Sequence, residues 1–151
     1  MDKYYKVVAE NRKAYHYYHI LEVYSGGLAL RGSEVKSLRG GRANLGDSFG
    51  RVESGEIWLY NMHISLYERA QEKVDPYRKR KLLFTKQELR KLIGKTAEKG
   101  LTLIPLKVYF SGDWAKVDLG LAKSKKEFQK KDELIKKSID KDIMQALKRN
   151  R

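Results

Sequence analysis

The chain contains no cysteine, so disulfides, thiolate metal sites and thiol catalysis are excluded. No run of about 18 consecutive apolar residues occurs, which removes the usual membrane-spanning helix and leaves no membrane partner to expect. The opening residues, MDKYYKVVAENRKAYHYY, hold no uninterrupted apolar stretch, so no export signal is expected and the cytoplasm is the expected compartment. Acidic residues are in short supply. Nineteen Asp and Glu stand against thirty-three Lys and Arg, leaving a formal charge of +14 on 151 residues. That excess costs self-repulsion in the folded state and favours a polyanionic partner. The plain alternative is a basic protein that is merely soluble.

Catalytic signatures are equally sparse. His16, His19 and His63 all fall in strand-like stretches, and none has the i, i+4 companion and carboxylate of a helical zinc site. No metal and no cofactor are expected. The serines lack a nucleophile elbow or a neighbouring His–acid pair. Gly26-Gly27 and Gly40-Gly41 are too short for a phosphate loop and read as turns, or as a close backbone approach to a phosphate. One enzymatic pattern remains to be weighed. Glu34-Val35-Lys36 has the acid-x-Lys spacing of metal-dependent nucleases, with Glu22 as the second acid such a site needs. It sits on an expected helix rather than a strand, and no catalytic residue is assigned.

The apolar fraction, 41 %, suffices for one core at this length. Tyr15 to about Leu30 reads as two strands joined by a tight turn at Ser25-Gly26-Gly27. Ser33 is placed to cap a short helix carrying Val35 and Leu38 inward, ended by Gly40-Gly41, with Lys36 and Arg39 facing one way. Phe49 to Val52 and Glu56 to Met62 form a hairpin around Glu53-Ser54-Gly55, with Ile57 and Leu59 on one face and Trp58, Tyr60 and Met62 on the other. Residues 67 to 80 turn polar and read as a mobile surface loop. Thr85 and Glu88 form a capping-box pattern for a helix whose buried stripe is Leu89, Leu92 and Ile93. Residues 101 to 110 and 114 to 122 read as two strands around Ser111-Gly112-Asp113. About six antiparallel strands with Gly-rich corners suggest a mainly β protein with short helices, an oligonucleotide-binding-type antiparallel barrel over residues 1–122. An α+β sandwich is the second choice.

Residues 123–151 differ in character, with eleven basic residues against five acidic and no Gly or Pro. Ile135, Ile139, Ile143 and Leu147 recur every four residues, too few apolar groups to offset the ordering entropy alone. A basic tail that becomes helical against a partner is expected, the alternative being a helix packed permanently on the barrel. The features that favour binding are basic runs interleaved with aromatics. Arg78-Lys79-Arg80-Lys81 is one cluster, and Lys123, Lys125, Lys126, Lys130 and Lys131 form a second. Tyr15, Tyr17, Tyr18, Trp58, Tyr60, Tyr67, Tyr77, Tyr109 and Trp114 supply rings, of which alternation sends about half outward, free to stack on bases.

Several stretches, in family order over residues 11 to 126, resemble small protein B, the SsrA-binding protein family of bacteria: NRKAYHYY, GSEVKSLRGGRANLGDSF, WLYNMHIS, DPYRKRKLL, LIGKTAEKGLTLIPLKVYF and WAKVDLGLAKSKK. The resemblance implies a six-stranded barrel that binds the tRNA-like domain of transfer-messenger RNA and works in trans-translation, the rescue of stalled ribosomes. It implies as partners that RNA and the ribosome, whose small-subunit decoding region and ribosomal RNA the tail enters, becoming helical in the empty message channel. Free, the protein is expected to be a monomer. RNA-binding roles carry over to Asn11, Leu83 and Lys116; Lys36, Arg39, Arg42 and Asn44, which sit in the most recognisable of these stretches, are added as expected contacts to phosphate or sugar. The resemblance assigns the tail lysines named above, with Ile143 and Met144, to the ribosome. Two departures stand out: Ser25 replaces a family glutamate implicated in RNA binding, and Gln129 replaces the usual Asp of an Asp-Lys-Arg element. A ribosomal or tRNA-binding accessory protein without specificity for that RNA is the milder alternative.

Overall fold

The computed structural model describes residues 6–71, 73–98 and 100–125. The elements in chain order are β1 (Lys6–Glu10), α1 (Ala14–Tyr17), β2 (Tyr18–Leu28), α2 (Gly32–Arg39), β3 (Ala43–Asn44), β4 (Phe49–Glu53), β5 (Glu56–Tyr60), β6 (His63–Ile64), β7 (Arg80–Leu83), α3 (Lys86–Thr96), β8 (Leu101–Ser111) and β9 (Trp114–Ser124). Three long strands dominate. β2 pairs with β9 from Tyr18↔Ser124 to Gly27↔Lys116, and β8 pairs with β9 from Leu101↔Lys123 to Ser111↔Trp114. The other edge of β8 is shared by β1 near Phe110 and by β4 at Leu103. β4 pairs with β5, β5 with β7, and β7 with β2, so the ring β8-β4-β5-β7-β2-β9 closes on itself, all antiparallel. The expected oligonucleotide-binding-type barrel is thus present, with β1 added outside the ring and β3–β6 as a small separate pair. Closure leaves few sheet edges open to aggregation.

The curvature has local causes. Bulges lie between Ile20 and Glu22 and between Pro105 and Lys107, each of which bends its strand. Pro105 has no N–H to give a ladder, and a bulge is where a strand tolerates it. The inward set includes Ile57, Leu59, Leu82, Leu103, Val117 and Leu119, all under 2 % exposed. Leu38 of α2 and Leu92 of α3 join the same core. α2 lies at the Phe110 end, where Arg39 sits over that ring at 4.5 Å, and α3 at the Glu22 end, where Lys95 pairs with Glu22. Ala14, Ile104, Leu106 and Ala122 form a second, smaller cluster outside the barrel wall.

Local signals for the hairpins and for α3 hold. Ser54 and Gly55 both take positive φ, 49° and 76°, as a two-residue turn between twisted strands requires. The Thr85 hydroxyl accepts the Glu88 N–H at 3.2 Å, the cap expected for α3.

Four expectations are corrected. Ser25-Gly26-Gly27 is no turn but the middle of β2; a Cβ on Gly26 would sit 2.6 Å from the Phe84 ring, so that glycine makes room for an aromatic. The residue preceding α2 is Arg31, whose N–H donates to Glu34 Oε1 at 2.9 Å, and Ser33 lies inside the helix. Met62 is fully buried rather than sharing the face of Trp58, because Asn61 takes φ 64° and breaks the alternation. His16 belongs to the short helix α1, not to a strand.

Gly50 gives a direct test of barrel packing. Its ideal Cβ would lie 2.9 Å from Leu103 Cβ, an atom too close to the backbone to swing away. Gly50→Ala is therefore expected to destabilise the fold by about 1–3 kcal/mol through overpacking, read by denaturant titration. A neutral substitution would show that β4 and β8 are not in tight register there.

Candidate nucleic-acid interface

Register decides which distant residues meet. Leu83 of β7 lies opposite Gly27 of β2, and Gly27 lies opposite Lys116 of β9, so three strands set these residues in one row across the outer wall. Leu83 is half exposed, which shows that it faces solvent and not the core. Gly27 presents no side chain between them, and the Leu83 side chain lies over the place a Cβ would take, its own Cβ 3.3 Å away. In the next row Ser25 lies opposite Asp118, and Asp118 opposite Lys107. The Ser25 hydroxyl donates to Asp118 Oδ1 at 2.5 Å, and Lys107 Nζ stands 3.6 Å from Asp118 Oδ2. Where the resemblance would place a glutamate, this chain therefore has a hydroxyl tied to a neighbouring carboxylate.

Asn11 follows β1 and holds the bulge of β8. Its N–H donates to the Leu106 carbonyl at 2.8 Å and its Nδ2 to the Pro105 carbonyl at 3.2 Å. Its side chain thus ties the chain before α1 to β8, its carbonyl accepts the Ala14 N–H, and the residue lines the concave surface beside it.

The second group of expected residues lies around α2. Lys36 and Arg39 are exposed on one side of the helix, Lys36 Nζ 5.3 Å from the Tyr67 ring centre. Arg39 Nη2 reaches Asp113 Oδ1 at 3.3 Å, so part of its charge is already answered. Arg42 is exposed while its backbone bonds to Ser37 and Ser65. Asn44 is exposed and uses its Oδ1 to accept the Gly46 N–H at 2.7 Å, closing an Asx turn. Lys123 is exposed within β9, and Lys125 is buried with its N–H on the Tyr17 carbonyl at 2.9 Å. Lys126, Lys130, Lys131, Ile143 and Met144 lie outside the described residues.

The run Arg78-Lys79-Arg80-Lys81 is not the four-cation cluster for phosphate expected. Arg80 is fully buried: its Nε donates to Glu34 Oε2 at 2.7 Å, Nη1 to the Met62 carbonyl at 2.5 Å and Nη2 to the Pro76 carbonyl at 2.9 Å. Arg78 donates from Nε and Nη2 to Glu34 Oε1. Burial pushes the Glu34 carboxyl up, but Arg78, the Arg31 N–H and Arg80 outweigh it and hold it below the usual range. Desolvation pulls Arg80 down, with Glu34 opposing. Lys79 and Lys81 do face out, yet they pair with Glu53 at 2.9 Å and Glu56 at 3.5 Å.

The same contacts bear on the nuclease alternative. Both Glu34 oxygens are engaged by guanidinium groups, and Glu22 is engaged by Lys95 and the Tyr24 hydroxyl. Among the described residues no group of three or more His, Asp or Glu stands ready for a metal ion. No helix among them is long and apolar enough to cross a membrane.

A closed basic barrel with side chains from separate strands aligned on its outer wall defines an oligonucleotide-binding-type domain. The comparisons narrow this class. The family model described as "SmpB protein" matches residues 8–149. An SsrA-binding protein of Carboxydothermus hydrogenoformans is 58 % identical over 144 residues, covering 95 % of this chain and 97 % of that protein. One from Enterococcus faecalis is 50 % identical over 147 residues, covering 97 % and 96 %. A solved structure described as "tmRNA-SmpB: a journey to the center of the bacterial ribosome" is 56 % identical, with a TM-score of 0.66 over 78 % of this chain and 84 % of that one. The chain belongs to the SmpB family.

Proposed function

We propose that this protein binds the tRNA-like domain of transfer-messenger RNA and delivers it to stalled ribosomes in the cytoplasm, acting by binding and not by catalysis. The carrying observation is the row Leu83–Gly27–Lys116, in which three strands bring expected RNA-contacting residues side by side on the outer wall. Its chemistry suits folded RNA. A-form helices hide their major-groove edges, so recognition rests on shape, phosphates, hydroxyls and unstacked bases, for which a stiff scaffold with fixed cations is the economical solution. Family membership and the likeness to a protein solved with that RNA support the choice of partner over tRNA in general.

In this reading residues 1–122 form the RNA-binding unit and 123–151 the ribosome-directed tail, with Ile143 and Met144 as apolar contacts in the decoding region. The tail's cations release counterions from ribosomal phosphates, which offsets the entropy of ordering. The double variant Ile143→Ala/Met144→Ala is expected to bind the RNA with unchanged affinity and to lose peptide tagging on stalled ribosomes in a reconstituted translation assay. Equal loss of RNA affinity would assign these residues to the barrel's own site. Competition between the tRNA-like domain and ordinary tRNA separates this function from that of a general tRNA-binding accessory protein.

A further inference from the structure

The solvent face of β2 is unusual for an exposed strand on so basic a protein. Its outward positions carry Val23, and the bulge adds Leu21; both are about half exposed, as is Leu83 next door, and Tyr15 is 60 % exposed. Contiguous exposed apolar surface rimmed by polar groups marks a contact site. Here the surface is also concave. Val23 and Leu106 line a groove of about 420 Å³, Tyr15 stands at its side, and Asn11, Arg12 and Lys107 lie on its rim. That volume is within the range of small-ligand sites, about 300–1,000 Å³. Across from Val23 lies Gly120, which adds no side chain on that flank.

Charge indicates what fits. Arg12 lies 3.7 Å from Glu10 and Lys107 3.6 Å from Asp118, so the cations of the rim are answered locally. A neutral, apolar floor is a poor seat for a phosphate and a good one for a flat, uncharged ring. The next outward positions along β2 are Ser25 and Gly27, so the same face of the strand leads from the groove to the Gly27–Lys116 row. We propose that the groove between Tyr15 and Val23 receives one unstacked nucleobase of the bound RNA, with Tyr15 as its stacking face and Lys116, in the adjoining row, on a flanking phosphate. Glu10, half exposed in the lining, is an acceptor for an exocyclic amino group at the edge of that base. This inference rests on the RNA-binding reading above.

Tyr15→Ala in the full chain is tested against a transcript of the tRNA-like domain by fluorescence anisotropy, with Tyr15→Phe and Lys116→Glu alongside. Loss of one stacked base is expected to weaken binding about tenfold, Tyr15→Phe to keep wild-type affinity, and the salt dependence of Tyr15→Ala to stay parallel to wild type. Chemical probing of the bases is expected to show one nucleotide that loses protection with Tyr15→Ala. Unchanged affinity with Tyr15→Ala, while Lys116→Glu binds poorly, overturns the base site and leaves the RNA-binding reading intact. A shallower salt dependence with Tyr15→Ala also overturns it, since the ring would then be positioning phosphate contacts. No effect from any of the variants overturns both readings. Circular dichroism controls for folding, and the exposure of Tyr15 makes it a safe site for truncation.

Discussion

Glu34→Gln is expected to lower stability by about 3–5 kcal/mol, the cost of leaving a buried charge without its partner. For a domain of this size that corresponds to a melting temperature lower by about 10–20 °C. The reasoning starts from Arg80, which has no exposed surface and whose guanidinium faces one carboxylate and two backbone carbonyls. An amide at position 34 keeps the shape but removes the charge and turns a donor toward the donors of Arg78 and Arg80. The pH dependence follows from the lowered pKa of Glu34. A carboxylate held below its unfolded value stabilises fully above that value, about 4.3, and its contribution is lost as pH falls through the folded one. The gap between wild type and Glu34→Gln should therefore be full at neutral pH and narrow in acid. Thermal unfolding between pH 7 and pH 3 measures it, and a cost below about 1 kcal/mol at neutral pH would refute the assignment. A hydrophobic pair, Glu34→Leu with Arg80→Met, is expected to recover much of the loss, because well-packed apolar replacements of buried ion pairs are often neutral or better. Function is tied to the same contact. Glu34 anchors the helix that carries Lys36 and Arg39, so loosening it blurs the placement of those cations.

Arg80 also shows where the sequence was silent. Within Arg78-Lys79-Arg80-Lys81 nothing local distinguishes a buried cation from a solvated one; the distinction is made by Glu34, far away in the chain and brought in by α2. Gly26 misled for the same reason, since a glycine pair next to serine reads as a turn until Phe84 is seen filling the space above it. By contrast, Thr85 with Glu88 and Ser54-Gly55 were legible because their partners lie within a few residues. The barrel itself was legible from strand count and Gly-marked corners, and its closure became visible only once register was known. For the site, family resemblance supplied Asn11, Leu83 and Lys116 as separate names. Their arrangement came from pairing: Gly27 joins Leu83 to Lys116, and only the strand register puts a glycine between them. Tyr15 is legible as an aromatic, but its apolar neighbour Val23 carries no signal, because an exposed and a buried valine look alike in a strand pattern.

Raising the salt concentration from 50 to 200 mM is expected to weaken binding of the tRNA-like domain about a hundredfold through the barrel alone. Each phosphate neutralised contributes a slope of roughly 0.7–0.9 in log affinity against log salt, and Lys36, Arg39, Arg42 and Lys116, the cations assigned to RNA in the proposed function, would together supply about four such contacts. The test is most informative one cation at a time. Alanine at a lysine or arginine that touches phosphate lowers affinity and reduces the slope by about one, whereas alanine at a cation engaged only with protein leaves the slope alone. Lys79 and Lys81 are expected in the second class, since each already faces a glutamate on the β4–β5 hairpin. Arg39 gives a sharper variant because its competitor is known. Asp113 is 98 % exposed and holds Arg39 Nη2 at 3.3 Å, so it must yield when a phosphate arrives. Asp113→Asn removes that competition at no structural cost and is expected to tighten RNA binding several-fold at low salt, with the gain shrinking as salt rises. Unchanged or weaker binding by Asp113→Asn would mean that Arg39 keeps its place over Phe110 in the complex and that the RNA passes α2 by.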